Sequence, residues 1–168
     1  MTTIYSFAPI VPDRARVLIL GSMPGQSSLD ANQYYAHPRN SFWFILEHLF
    51  SRNTNMEYSQ RRQMLLDNHI ALWDVLQACV RPGSLDSAID SKSTVANDFA
   101  DLFSRQPGIS HVFFNGARAQ QEYERHVLAQ LPEQFSSINY QRLPSTSPAH
   151  AAMSRDQKLK EWSVIRVA

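Results

Sequence analysis

Four short apolar runs, each breaking abruptly into polar and turn-forming residues, decide most of what this chain can fold into. The sharpest is Val17-Leu18-Ile19-Leu20, which ends in Gly21-Ser22-Met23-Pro24-Gly25. It is leucine-rich or β-branched with charges only before it, the pattern of a parallel strand covered on both faces. The second run, Ile70-Ala71-Leu72-Trp73-Asp74-Val75-Leu76, reads as a strand in its first half. His111 to Phe114 and about Asn139 to Leu143 supply the third and fourth.

Helical patterns lie between these runs. Phe42, Ile45, Leu46, Leu49 and Phe50 recur at i, i+3, i+4, i+7 and i+8, which predicts a helix over about Ser41 to Ser51 with Asn40 or Ser41 as its N-cap. A weaker helix is expected near residues 57 to 67. Another, from about Thr94 to Arg105, carries Val95, Phe99, Leu102 and Phe103 inward and stops at Pro107-Gly108. A helix to about Leu131 follows Asn115-Gly116. The last opens at Ser154 with Gln157 at capping-box spacing and turns Leu159, Trp162 and Ile165 inward. Residues 1 to 15 read as an extended arm, and Gly21 to Arg39 as a long loop with no period of its own.

Strand and helix alternate throughout, so the expected fold is α/β, a three-layer α/β/α sandwich around a central four-stranded, mainly parallel sheet. One domain over residues 1 to 168 is expected. In such sheets ligands bind outside the carboxyl ends of the strands. The segments there, Gly21 to Asn40, Asp74 to Ser87, Asn115-Gly116 and Pro144 to His150, are the richest in polar and turn residues, and should converge on one cleft.

Composition narrows the setting. With 43% hydrophobic and 18% charged residues the chain is neither disordered nor membrane-like. No apolar run approaches the roughly 20 residues needed to span a bilayer, and no basic segment followed by an apolar one opens the chain, so a cytoplasmic protein is expected. The single cysteine, Cys79, excludes an intramolecular disulfide and reads as a small buried hydrophobe. A net charge of +1 neither supports nor excludes a nucleic-acid partner, since backbone binding needs a local cluster.

The loops lack the familiar signatures of several chemistries. Gly21 to Gly25 has the spacing of neither a GxGxxG nor a GxxxxGK[ST] loop, so no nucleotide cofactor is expected. The six histidines are scattered without an HExxH pair, and no metal is expected. No serine sits in a GxSxG elbow. What remains is a glycine-proline loop whose amides at Gly21 and Gly25 can approach a base or phosphate, or simply make a tight turn. Ser145-Thr146-Ser147-Pro148 can hold a DNA phosphate through hydroxyl and backbone donors, or cap nearby turns.

Five segments taken together resemble the uracil-DNA glycosylase superfamily, and within it the hypoxanthine-DNA glycosylase branch. They are Gly21-Ser22-Met23-Pro24-Gly25, the stretch Tyr34-Tyr35-Ala36-His37-Pro38-Arg39-Asn40-Ser41-Phe42-Trp43, Leu72-Trp73-Asp74-Val75-Leu76, Gly83-Ser84-Leu85-Asp86-Ser87, and Leu143-Pro144-Ser145-Thr146-Ser147-Pro148-Ala149. They arrive in the family's order at strand ends, over about residues 17 to 150. The resemblance implies metal-free hydrolysis of the N-glycosidic bond of a deaminated base in DNA, hypoxanthine foremost, by a monomer with no cofactor. It places the catalytic asparagine at Asn40. One departure stands out: many superfamily members carry Asp or Asn within the first glycine-proline motif to act on the water, whereas Ser22 and Met23 stand here, so strong uracil excision is not expected.

The remaining roles have two readings each. Tyr35 or Phe42 stacks on the flipped base, although Phe42 also fits the helix core stripe. His37 donates to the leaving base or braces its loop. Asp74 recognises the base edge, holds water or caps a turn, and Asn115 faces the cleft or closes a turn. Leu143 is a wedge into the duplex or a buried leucine. Ser145, Thr146, Ser147 and His150 are the expected DNA contacts. The competing reading of the whole cleft is a non-catalytic nucleic-acid or nucleotide-binding module, in which Asn40 is a helix cap and no more.

Overall fold

The computed structural model describes residues 2–168. In chain order its elements are β1 (Thr3–Tyr5), β2 (Val17–Gly21), α1 (Gln26–Ala31), α2 (Phe42–Phe50), α3 (Tyr58–Asp67), β3 (Ile70–Asp74), β4 (Leu76–Val80), β5 (Val95–Ala96), α4 (Phe99–Arg105), β6 (His111–Asn115), α5 (Ala117–His126), β7 (Asn139–Leu143) and α6 (Arg155–Trp162), with short 3-10 turns between some of them. Four strands form the expected parallel sheet in the order β3-β2-β6-β7. All five residues of β2 are buried, which is why that strand reads as an unbroken apolar run.

Alternation along the strands divides the core. Val17 and Ile19 turn to one face with Ile70, Leu72 and Phe113, and there meet Phe42, Trp43, Ile45, Leu46 and Trp162 from α2 and α6. Leu18 and Leu20 turn to the other with Val112 and Phe114, under Phe99, Phe103 and Tyr123 from α4 and α5. Helices therefore cover both faces, completing the three-layer sandwich. The arm before β2 lies along the sheet: Ile10 pairs with Leu72 in an isolated antiparallel bridge, and Trp73 Nε1 donates to the Phe7 carbonyl at 3.1 Å.

Three elements depart from the expectations. The loop after β2 contains a short helix, α1, from Gln26 to Ala31. The second apolar run serves two sheets: after Val75 the chain turns, and β4 pairs antiparallel with β1 and β5 in a separate three-stranded sheet. Val95, expected inside a helix, is therefore in β5, and α4 begins only at Phe99, where the Asp98 carboxylate accepts from Asp101 N–H at 3.0 Å. Strand pairing with a distant segment has overridden the local helical period here.

The register brings the site together. Gly21 pairs with Asp74 across β2 and β3, and Asn115 with Leu143 across β6 and β7, so the ends of all four strands lie along one edge. Between β2 and β6 the strand order reverses, the place where an open parallel sheet leaves a crevice.

Candidate active site

A cleft of about 640 Å³ opens over that edge. Its volume is in the range of small-ligand pockets, enough for a nucleobase and its sugar. Gly21 to Gly25, Tyr35, His37, Asn40, Asp74, Asn115, Ser145, Thr146, Ser147 and His150 all line it. Segments separated by more than a hundred residues in the sequence thus share one wall, as the strand-end argument expects.

Asp74 forms the floor. It is 3% exposed, and its Oδ2 has no hydrogen-bond partner. Burial, with the nearby Asp86 charge adding to it and Arg81 opposing it, raises its pKa to about 7. A carboxyl so placed is neutral far more readily than one in water. Tyr35 closes over it. The tyrosine adopts a left-handed backbone (φ 54°), stacks on Phe42 with ring centroids 4.0 Å apart, and buries a hydroxyl that also lacks a partner. Gly21 makes this approach possible: a Cβ there would stand 2.5 Å from Asp74 Oδ1 and 2.7 Å from the Tyr35 hydroxyl.

Asn40 stands at the start of α2. Ser41 is the N-cap residue, and Asn40, one position before it, accepts from Phe42 N–H through Oδ1 at 2.9 Å in a local turn that leads into the helix. The bond fixes which way the amide lies, and a carbonyl oxygen retains a second lone pair for another donor. Beside it, His37 Nδ1 accepts from Arg39 N–H at 3.1 Å and braces the same loop.

The glycine-proline loop is held from behind. Arg81, 5% exposed, donates through Nη2 to the Pro24 carbonyl at 2.6 Å and through Nε to the Gly83 carbonyl at 2.9 Å, tying that loop to the turn after β4. Ser22 Oγ donates to Asp86 Oδ1 at 2.6 Å. The final loop is fastened by Asn115, whose Nδ2 donates to Thr146 Oγ1 and whose Oδ1 accepts from Thr146 N–H, both at 2.9 Å. Ser41 N–H donates to the Thr146 carbonyl at 2.9 Å, Lys158 Nζ to that of Ser147 at 3.3 Å, and Trp162 Nε1 to that of Pro144 at 2.9 Å. Gly116 (φ 91°) allows the contact, since a Cβ there would meet Ser145 Cβ at 3.0 Å. Within the loop, the Ser145 and Ser147 hydroxyl oxygens accept from Ser147 and Ala149 N–H, leaving their O–H groups to donate elsewhere.

Two expected site residues lie outside the cleft. Phe42 is fully buried between Tyr35, Trp43 and Trp162 and reaches the site only through Tyr35. Leu143 is 2% exposed in the core, so the buried-leucine reading describes it and the wedge reading does not. Both belong to apolar stripes that the sheet and helices bury. Conversely, Arg81 and the cleft residues Ser28, Arg39 and Leu85 were not singled out. Leu85 sits in one of the five segments that carry the resemblance but has no role assigned there, and nothing in the sequence announces that Arg81 is buried. No three of the histidine, cysteine and acidic side chains cluster to hold a metal ion among the described residues.

Comparison with known proteins places this arrangement. Residues 8–167 match the sequence model of the Uracil DNA glycosylase superfamily. The chain belongs to that superfamily. A Methanosarcina acetivorans protein named Hypoxanthine DNA glycosylase is 33% identical over 162 residues, 95% of each chain. A Methanosarcina barkeri protein of the same name is 38% identical over 119 residues, 70% of this chain and 73% of its own. The solution NMR structure of a Methanosarcina acetivorans protein, described as a candidate uracil DNA glycosylase, superposes with a TM-score of 0.80 at 31% identity, covering 98% of this chain and 97% of that one. The α/β/α sandwich is thus shared along nearly the whole length.

Proposed function

We propose that this superfamily member is a DNA glycosylase that hydrolyses the N-glycosidic bond of deoxyinosine, releasing hypoxanthine and leaving an abasic site. The observation that carries the reading is the meeting of Asn40, Asp74 and the glycine-proline loop in one base-sized cleft. The names of the two Methanosarcina relatives support the substrate. A monomer is the expected state. No helix among the described residues is long and apolar enough to cross a membrane, and the cytoplasm is the expected setting.

The target nucleotide turns out of the duplex into the cleft, at a cost of a few kcal/mol that is smaller for a poorly paired base such as hypoxanthine. Tyr35, backed by Phe42, provides the stacking surface. A neutral Asp74 offers both a donor and an acceptor, which suits a base edge bearing a carbonyl oxygen beside a ring N–H; a carboxylate could only accept. As the bond from C1′ to N9 breaks, its electron pair leaves with the base and the sugar gains oxocarbenium character. The N–H groups of Met23 and Gly25 donate to no protein acceptor among the described residues, and stabilise the departing anion. Asn40, its amide set by the bond to Phe42, orients water toward C1′; as the water oxygen bonds C1′ it gives up a proton, and the departing base takes one up. Positioning rather than strong deprotonation is the asparagine's contribution. The Ser145 to Ser147 loop and His150 hold the DNA backbone.

Duplexes carrying one deoxyinosine, deoxyuridine or deoxyxanthosine, incubated with the protein and a chelator, test the reading through alkali-sensitive strand cleavage. Deoxyinosine is expected to be cleaved, with Asn40→Ala slower by about 100-fold or more. DNA binding with no cleavage of any substrate would favour the non-catalytic module and leave Asn40 in its structural role at the start of α2.

A further inference from the structure

An arginine is seldom fully buried without a carboxylate partner, because taking its charge out of water is costly. Arg81 is 5% exposed, and none of the ion pairs among the described residues includes it. Its donors meet backbone instead. Nη2 reaches the Pro24 carbonyl at 2.6 Å and Nε the Gly83 carbonyl at 2.9 Å, while Nη1 has no partner. Burial lowers its pKa, and Asp86 is near enough to oppose that shift without standing at ion-pair distance. The guanidinium nevertheless stays charged at neutral pH. A neutral amide side chain could tie the same two loops together at a smaller desolvation cost, so the tie alone does not account for an arginine here.

What the charge reaches is a peptide unit. The Pro24 carbonyl and the Gly25 N–H belong to one trans amide, so the N–H points away from the guanidinium that holds the carbonyl. Gly25 lines the cleft and Arg81 does not. The Gly25 N–H donates to no protein acceptor among the described residues. A charged donor on the carbonyl draws electron density toward that oxygen and makes the N–H at the other end of the amide a stronger donor. We propose that Arg81 is a positioning residue for the leaving group: its charge, acting through the Pro24–Gly25 peptide, strengthens the N–H that meets the departing base. The inference rests on the glycosylase reading. The benefit grows as the bond from C1′ to N9 breaks, because the electron pair moves onto the base that the N–H faces. Burial keeps water from screening the guanidinium, so its field is felt across the peptide.

Single-turnover excision of deoxyinosine from a duplex, at saturating enzyme, tests this with Arg81→Gln, Arg81→Lys and Gly25→Pro. Glutamine keeps a donor for the Pro24 carbonyl without the charge, and lysine keeps the charge. Proline removes the Gly25 N–H at a position whose φ of −72° already suits its ring, and a Cβ there meets nothing closer than Ser84 Oγ at 3.6 Å. Arg81→Gln is expected to slow the step roughly 10-fold and Gly25→Pro roughly 100-fold, with Arg81→Lys recovering most of the rate. The enzyme concentration that gives half the maximal rate should change less than about threefold in Arg81→Gln, since the effect lies in the bond-breaking step. Added to Gly25→Pro, Arg81→Gln should slow excision no further, because the donor it acts on is gone. Glutamine at the wild-type rate, lysine as slow as glutamine, or losses that multiply in the double variant would each overturn the proposal. So would Gly25→Pro at the wild-type rate, a result that holds even if Arg81→Gln does not fold. Wild-type inactivity would instead overturn the glycosylase reading, and this role with it.

Discussion

Asp74 holds its proton to about pH 7 because bulk water does not reach it and Asp86 adds a second negative charge, which Arg81 only partly offsets. If the neutral carboxyl is the form that meets the base, deoxyinosine excision falls as pH rises through about 7. Asp74→Asn keeps a donor and an acceptor without titrating. Its pH–rate profile should therefore lack the wild type's decline on the alkaline side; a decline of the same shape in both would assign it to another group. Stability follows the same sign. A pKa raised from 3.8 means the folded chain binds the proton more tightly than the unfolded one. The contribution is complete below about 3.8 and is lost as pH rises through about 7, so wild type should weaken relative to Asp74→Asn over that interval in thermal unfolding. At this scale the sequence was legible where a motif fixes a position, as at Asn40, which lines the cleft. It was ambiguous where one residue type serves two purposes: Leu143 and Phe42 are apolar at positions that suit either a core or a ligand, and only burial decides. Arg81 was invisible because a buried arginine has the same letter as an exposed one.

Among the elements, the final loop depends most on a single side chain. Asn115 ends β6 and makes both of its amide bonds to Thr146, so its removal leaves a nearly buried hydroxyl and an N–H without partners. Asn115→Ala should loosen the loop at a cost of about 1–3 kcal/mol. On the proposed role of this loop, holding the DNA backbone away from the scissile bond, the expected signature is a KM for duplex raised roughly tenfold with kcat changed far less. Steady-state kinetics on the deoxyinosine duplex check this; a fall in kcat alone would place Asn115 in the chemistry. The four strands of the parallel sheet were legible because burial on both faces leaves short apolar runs with sharp ends. The antiparallel sheet was not. Its strands Thr3–Tyr5, Leu76–Val80 and Val95–Ala96 are short and partly exposed, and the first of them finds its partner more than seventy residues away in the sequence. Likewise α1 has only six residues and no acidic first turn, too little for a period to register.

At the scale of the whole molecule, the parallel sheet acts as a frame that delivers four loops to one edge, and the cleft is made of what those loops carry. Polar side chains brace the frame, Arg81 buried under the glycine-proline loop and half-buried Asn115 under the last, so the cleft residues are held in place before any ligand arrives. Such a site needs positioning and a stabilised leaving group, and it should release an intact base. Quantifying free hypoxanthine by liquid chromatography, alongside alkali-labile sites, after a single turnover on a deoxyinosine duplex tests that claim most directly. The account predicts equal amounts of hypoxanthine and abasic sites from wild type, with both falling together in Asn40→Ala. Strand breaks without free base, or DNA bound and recovered intact, would contradict it.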